Sequence, residues 1–145
     1  MSGSSNTQFR VTLGDDETSR LEDFAAATNG WFWETDSEHH FTYMSASVED
    51  VTGVPREWHY GKTREELGSP DGVTPVEWAE HLRTIRERRP FSNFAYQRIG
   101  PSRTQWLRTS GRPMHSNDGV FQGYRGIATV ITSNLPFDEW TAAFG

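Results

Sequence analysis

The groups that could do chemistry in this chain are five histidines, twenty carboxylates and fourteen lysines and arginines, with no cysteine among its 145 residues. The missing thiol excludes disulfides, thiolate nucleophiles, zinc–thiolate sites and cysteinyl cofactor adducts. The histidines do not form a ligand set. His39 and His40 are adjacent in a turn, where consecutive side chains diverge, and His59 and His115 have no partner at ligand spacing. His81 falls on a long predicted helix. A lone histidine is the usual axial ligand of haem, but it is more commonly an unliganded helix-face imidazole. There is no Gly-x-Ser-x-Gly elbow, no Gly-x-x-x-x-Gly-Lys phosphate loop and no carboxylate pair placed in a plausible pocket. We therefore expect neither a catalytic nor a metal site. Arg83, Arg86, Arg88 and Arg89 crowd the end of the same helix, where cations suit the dipole; a solvated helix end is preferred over an anionic partner.

Those residues must be held by regular elements, and the capping chemistry marks several of them. Ser19 and Glu22 have capping-box spacing, followed by Leu21, Phe24, Ala25 and Thr28 on one narrow stripe and by Asn29-Gly30 as a stop. Trp31–Asp36 reads as a strand, Asp36–His40 as a turn and Phe41–Met44 as the returning strand. Ser45 or Ser47 is expected to cap a short helix that stops at Gly53. Thr63 with Glu66 predicts one helical turn, and Thr74-Pro75-Val76-Glu77 opens a helix expected to run from Pro75 to Arg89. Strands are predicted over Phe91–Ile99, Thr104–His115 and Phe121–Thr132, joined by turns. Along the second of these, Trp106, Arg108, Ser110 and Arg112 alternate with Leu107, Thr109, Gly111 and Pro113, which makes one face wet and the other small and inward.

The length fits one domain. Hydrophobic residues are only 34% of the chain, but 9 Phe, 6 Trp and 4 Tyr can supply the core, because each aromatic buries roughly 150–250 Å². No apolar run is long enough for a membrane span, and no secretory signal is present. A net charge of −6 disfavours nucleic acid and anionic membrane as partners. The element order predicts an α+β fold: a five-stranded antiparallel sheet with helices covering one face, an N-terminal helix, and a natural ligand position between sheet and helices.

Several segments carry a resemblance. Gly30-Trp31-Phe32-Trp33-Glu34-Thr35-Asp36, Phe41-Thr42-Tyr43-Met44-Ser45-Ala46-Ser47-Val48 and Val51-Thr52-Gly53-Val54-Pro55 resemble the opening of a PAS domain. Gly61-Lys62-Thr63 resembles its central loop. Trp106 to Pro113, Asp118-Gly119 and Gly123 to Thr129 resemble its last two strands. The resemblance implies a PAS domain over residues 17–133, between tails at 1–16 and 134–145. It also implies a role as a non-enzymatic sensory and dimerisation module of a bacterial cytoplasmic signalling protein, such as a sensor histidine kinase or a cyclic-di-GMP synthase or phosphodiesterase, attached to or docking an output domain. The last strand ends in Val130-Ile131-Thr132 where such domains often carry Asp-Ile-Thr, and Asn134-Leu135-Pro136 follows where an exit helix is expected. Both departures imply weaker coupling through a continuous exit helix.

With strand parity taken from the resemblance, Gly126 and Ala128 face inward with Tyr124. The volume they leave can hold a small ligand or be filled by Trp33 and Trp78, and a filled core is the preferred expectation. The candidate pocket is Trp33, Tyr43, Val48, Trp78, Leu82, Gln97, Leu107 and Ala128, with Gln97 as its inward polar group. The candidate dimer or partner interface is Leu21, Phe24 and Ala25 on the first helix, with Tyr96 and Trp106 at outward parity; a homodimer is expected, with an intramolecular lid as the alternative. No cofactor is predicted. An unknown small ligand is the competing possibility, and a non-covalent haem or flavin ranks below both. In haem-binding PAS domains the axial histidine lies on the long helix, about two positions from the register of His81.

Overall fold

A computed structural model describes residues 17–131. The tails expected at 1–16 and 134–145, together with Thr132 and Pro136, lie outside the described residues. Helix α1 covers 17–27. It is followed by β1 (Gly30–Thr35), β2 (Phe41–Met44), α2 (Ser47–Thr52), α3 (Arg56–His59), α4 (Arg64–Leu67), α5 (Pro75–Arg86), β3 (Phe91–Ile99), β4 (Thr104–His115) and β5 (Phe121–Val130). The strands form one antiparallel sheet in the order β2-β1-β5-β4-β3.

Both downstream capping boxes are present. Thr63 opens α4 and Thr74 opens α5, each hydroxyl accepting from the amide of a Glu whose carboxylate bonds back to the cap. The upstream serines act otherwise. Residue 17 is already helical, so Ser19 lies inside α1 instead of capping it. Neither Ser45 nor Ser47 caps α2. The Ser45 hydroxyl accepts from the Phe32 amide at 2.9 Å, and Ser47 donates to the Gly30 carbonyl at 2.8 Å. Both are spent on tying α2 to the sheet. Helix α5 ends at Arg86, three residues before the expected Arg89. Arg88 takes a left-handed conformation, and the Tyr124 hydroxyl donates to the Arg89 carbonyl at 2.7 Å, which fixes the chain after it has left the helix.

The inner face of the sheet carries Trp31 and Trp33 from β1, Tyr124 and Ala128 from β5, Leu107 and Thr109 from β4 and Tyr96 from β3. Val48, Leu67, Val73 and Ile85 from the helical side close over it. Trp33 is the central plug. Its indole N–H donates to Thr109 Oγ1 at 2.9 Å, and its ring lies over Gly111 and Gly126. A Cβ on Gly126 would stand 2.6 Å from the indole and 1.9 Å from the Ser110 carbonyl oxygen, so the tryptophan needs this bare patch of backbone.

The outer face carries Phe32, Glu34, Ser110, Arg112, Arg125 and Ile127, with an Arg125–Glu34 ion pair at 3.3 Å. Strand β3 is placed opposite to expectation. Its hairpin register pairs Tyr96 with Leu107 and Gln97 with Trp106. Cross-strand partners share a face, so an inward Leu107 carries Tyr96 inward and sends Gln97 outward with Trp106. Tyr96 is accordingly buried.

Candidate functional site

Among the described residues, the interior, a side pocket and an outer groove could receive a ligand or a partner. The first lies between sheet and helices, where the pocket was expected. It measures about 10 Å³, room for one water at most. Of the candidate residues, Trp33, Leu107 and Ala128 border it. Val48 is fully buried, and Trp78 packs edge-on against Phe94 and Tyr96 with ring centres 5.2 and 5.8 Å apart; both fill the core without lining the cavity. Tyr43 and Gln97 do not belong to this cavity. The Tyr43 hydroxyl meets Glu22 at 3.3 Å on the outer side of β2, and Gln97 is turned to the outer face by the β3–β4 register.

Charged and titratable residues that sequence spacing did not single out border the same cavity: His59, Arg64 and Arg98. Segment 61–63 is bonded to the start of β2, with the Phe41 amide donating to the Lys62 carbonyl at 2.9 Å, and the Thr63 cap then starts α4. That sequence of contacts drives Arg64, the first residue of α4, inward. Its guanidinium lies 4.5 Å from the Trp33 ring centre, 5.4 Å from Phe41 and 5.5 Å from Phe91. Burial lowers its pKa, while the Tyr96 and Tyr124 phenols favour its charge. Arg98 donates from Nη1 to His59 Nε2 at 3.1 Å, and His59 Nδ1 bonds the Pro55 carbonyl at 3.1 Å, which assigns the proton to Nδ1. Burial, and then the Arg98 charge, pushes the His59 pKa down to about 4.

His81 is a helix-face residue, but it is on the inner face. It stacks on Phe94 at 3.8 Å and meets Phe91 edge-on at 4.7 Å, and its Nε2 has no hydrogen-bond partner. Burial, with Arg64 second, pushes its pKa down to about 3, so the imidazole is neutral at physiological pH.

The second space is a side pocket of about 230 Å³ between the β1–β2 turn, α4 and α5. Leu82 borders it, together with Thr35, His39, Arg64, Ile85 and Tyr124. The third is an open groove of about 860 Å³ where α1 meets the outer sheet face, bordered by Leu21, Phe32, Tyr43, Arg112, Arg125 and Ile127. Of the candidate interface residues, Leu21 and Phe24 are exposed at 50% and 68%. Ala25 is fully buried under its own helix, and Tyr96 belongs to the core, so neither offers an outward contact. Trp106 is outward but half-covered by the loop at Gly72. Glu22 fixes the helix by accepting from the Tyr43 hydroxyl and, at 3.1 Å, from the Ala46 amide.

Among the described residues no helix is long and apolar enough to cross a membrane. The search of curated proteins found no match. Among solved structures, the N-terminal domain of a diguanylate cyclase with PAS/PAC sensor from Marinobacter aquaeolei is similar in fold. Its TM-score is 0.56 at 13% sequence identity, covering 70% of this chain and 94% of that one. A family model described as PAS fold matches residues 26–134, from the end of α1 past the last strand. The five-stranded sheet, the Trp33-plugged interior and the short helices between β2 and β3 all lie within that match, and this chain belongs to the PAS family.

Proposed function

We propose that this PAS domain is a non-enzymatic sensory module of a bacterial cytoplasmic signalling protein, and that it works by association. In this reading a homodimer, or an attached or partner output domain, is bound through α1 and the outer sheet face. The observation that carries it is the pairing of an exposed apolar ridge, Leu21 and Phe24, with an open groove of about 860 Å³ beside it. Monomeric domains seldom leave such apolar surface uncovered without an interaction to make. The similar structure belongs to a diguanylate cyclase, which supports an output domain of the cyclic-di-GMP class here; a histidine kinase is the other output considered.

A ligand within the sheet–helix interior is disfavoured by its volume of about 10 Å³. Haem and flavin do not fit there either, because His81 lies flat against Phe94 and Trp33 occupies the space over Gly111 and Gly126. The reading therefore includes no cofactor. Nor does it include catalysis: His59 is bonded on both ring nitrogens and His81 is enclosed by aromatic rings.

The test is Phe24→Asp in sedimentation velocity, with circular dichroism to confirm folding. The wild type is expected to dimerise and the variant to sediment as a folded monomer. A wild-type monomer refutes the homodimer, and an unchanged dimer in the variant refutes Phe24 as part of its interface.

A further inference from the structure

We propose that Arg64 anchors a site for a small organic carboxylate, which enters through the side pocket between the β1–β2 turn, α4 and α5. This is a ligand site separate from the outer-face association surface and does not rest on it.

Arg64 is only 7% exposed and its Nε has no hydrogen-bond partner. Among the described residues the ion pairs are Asp36–His40, Glu57–Arg56, Glu80–Arg83, Glu87–Arg89 and Glu34–Arg125, and no carboxylate pairs with Arg64. Arginine keeps its proton in proteins. A buried guanidinium without a counter-charge is costly, and aromatic rings beneath it repay only part of that. Arg98, the other buried arginine bordering the interior, also has an unpartnered Nε, but its Nη groups meet His59 and Gln105, whereas the side chain that hydrogen-bonds Arg64 is the neutral phenol of Tyr96.

Arg64 borders both the interior cavity and the side pocket of about 230 Å³. That pocket is smaller than the roughly 300–1,000 Å³ of sites for drug-sized ligands, and so suits a smaller molecule. Leu82, Ile85 and Tyr124 give it an apolar wall, and Arg86 adds a second cation. Glu38 and Glu65 also border it, but both are exposed, while Arg64 is buried. The arrangement suits a monocarboxylate with a short apolar body: the carboxylate pairs with the Arg64 guanidinium, and the body lies along Leu82 and Ile85. Burial, and then the Arg64 charge, lower the pKa of His39 at the same pocket.

The test uses the full chain with benzoate as probe and benzamide as its neutral isostere, followed by calorimetric titration and by amide chemical shifts. Saturable benzoate binding at about 1 mM or tighter is expected, with benzamide about tenfold weaker or worse. Shifts should cluster at 35–39, 63–67 and 82–86. Arg64→Met should lose binding by at least about tenfold. Leu82→Trp, which blocks the pocket without touching the guanidinium, should do the same and keeps the test decisive if Arg64→Met does not fold. Three results would each overturn the site: no saturable benzoate binding, equal affinity for benzoate and benzamide, or shifts confined to the outer sheet face. An arginine held solely for stacking on Trp33 predicts the first or the second of these.

Discussion

Acid should unfold this domain through its two buried histidines, and His81→Phe isolates one of them. The His81 pKa is held at about 3 against an ordinary 6.5, chiefly by burial. When pH falls below 6.5 the unfolded chain takes up a proton that the folded chain refuses, so stability drops as pH drops. The loss continues until the pH reaches the folded pKa near 3. Between pH 7.5 and 5, the unfolded state gains about 1.5 pH units of protonation free energy per histidine, or about 2 kcal/mol. His59, held at about 4, should lose a similar amount over the same interval. The window is chosen above the carboxylates: Glu66, lowered by the Thr63 backbone N–H, titrates below its ordinary 4.5. Phenylalanine keeps the stack on Phe94 and removes the ring nitrogen that has no partner. The assay is urea unfolding of both proteins at the two pH values. The pH-dependent loss should be about 2 kcal/mol smaller in the variant, a difference of roughly 1 M in the urea midpoint. An equal loss in both proteins would mean that folded His81 accepts a proton near its ordinary pKa, and the buried, neutral assignment would be wrong.

Two further outcomes follow from the packing. Ala128→Trp should destabilise by about 3 kcal/mol or more in urea unfolding, because an interior space of about 10 Å³ cannot accept an indole; a variant as stable as wild type would mean the interior is open. Glu22→Ala removes the acceptor for the Tyr43 hydroxyl and the Ala46 amide, so hydrogen exchange across α1 should quicken by about fivefold, equivalent to about 1 kcal/mol, while the sheet stays protected. Unchanged protection in α1 would show that Ala25 burial alone holds the helix.

Much of the architecture is local chemistry and is readable in the chain. Thr63–Glu66 and Thr74–Glu77 are capping boxes because one hydroxyl and one carboxylate, three residues apart, satisfy each other's backbone N–H groups wherever they occur. The alternation of Leu107 and Thr109 with Trp106 and Arg108 assigns the two faces of β4 because successive side chains of a strand point opposite ways. Ser19 and Ser45 had the right residue type but were taken by helix propagation and by a cross-element bond to Phe32, and neither competition is visible locally.

The element order, the antiparallel sheet with helices on one face, the absence of thiol chemistry and the family resemblance are legible in the chain. Which residues meet is settled by packing. The β3–β4 register exchanged Tyr96 and Gln97 between faces, since parity across a hairpin depends on the turn and not on either strand alone. Trp33 fills the interior, the alternative preferred from the small residues of β5, and it can do so because Gly111 and Gly126, from two other strands, lie beneath it. Arg64 reads in the sequence as one more charged residue of a short helix. It becomes a buried cation only when Trp33, Phe41 and Phe91, distant in the chain, enclose it, and burial and pairing are properties of that assembled neighbourhood.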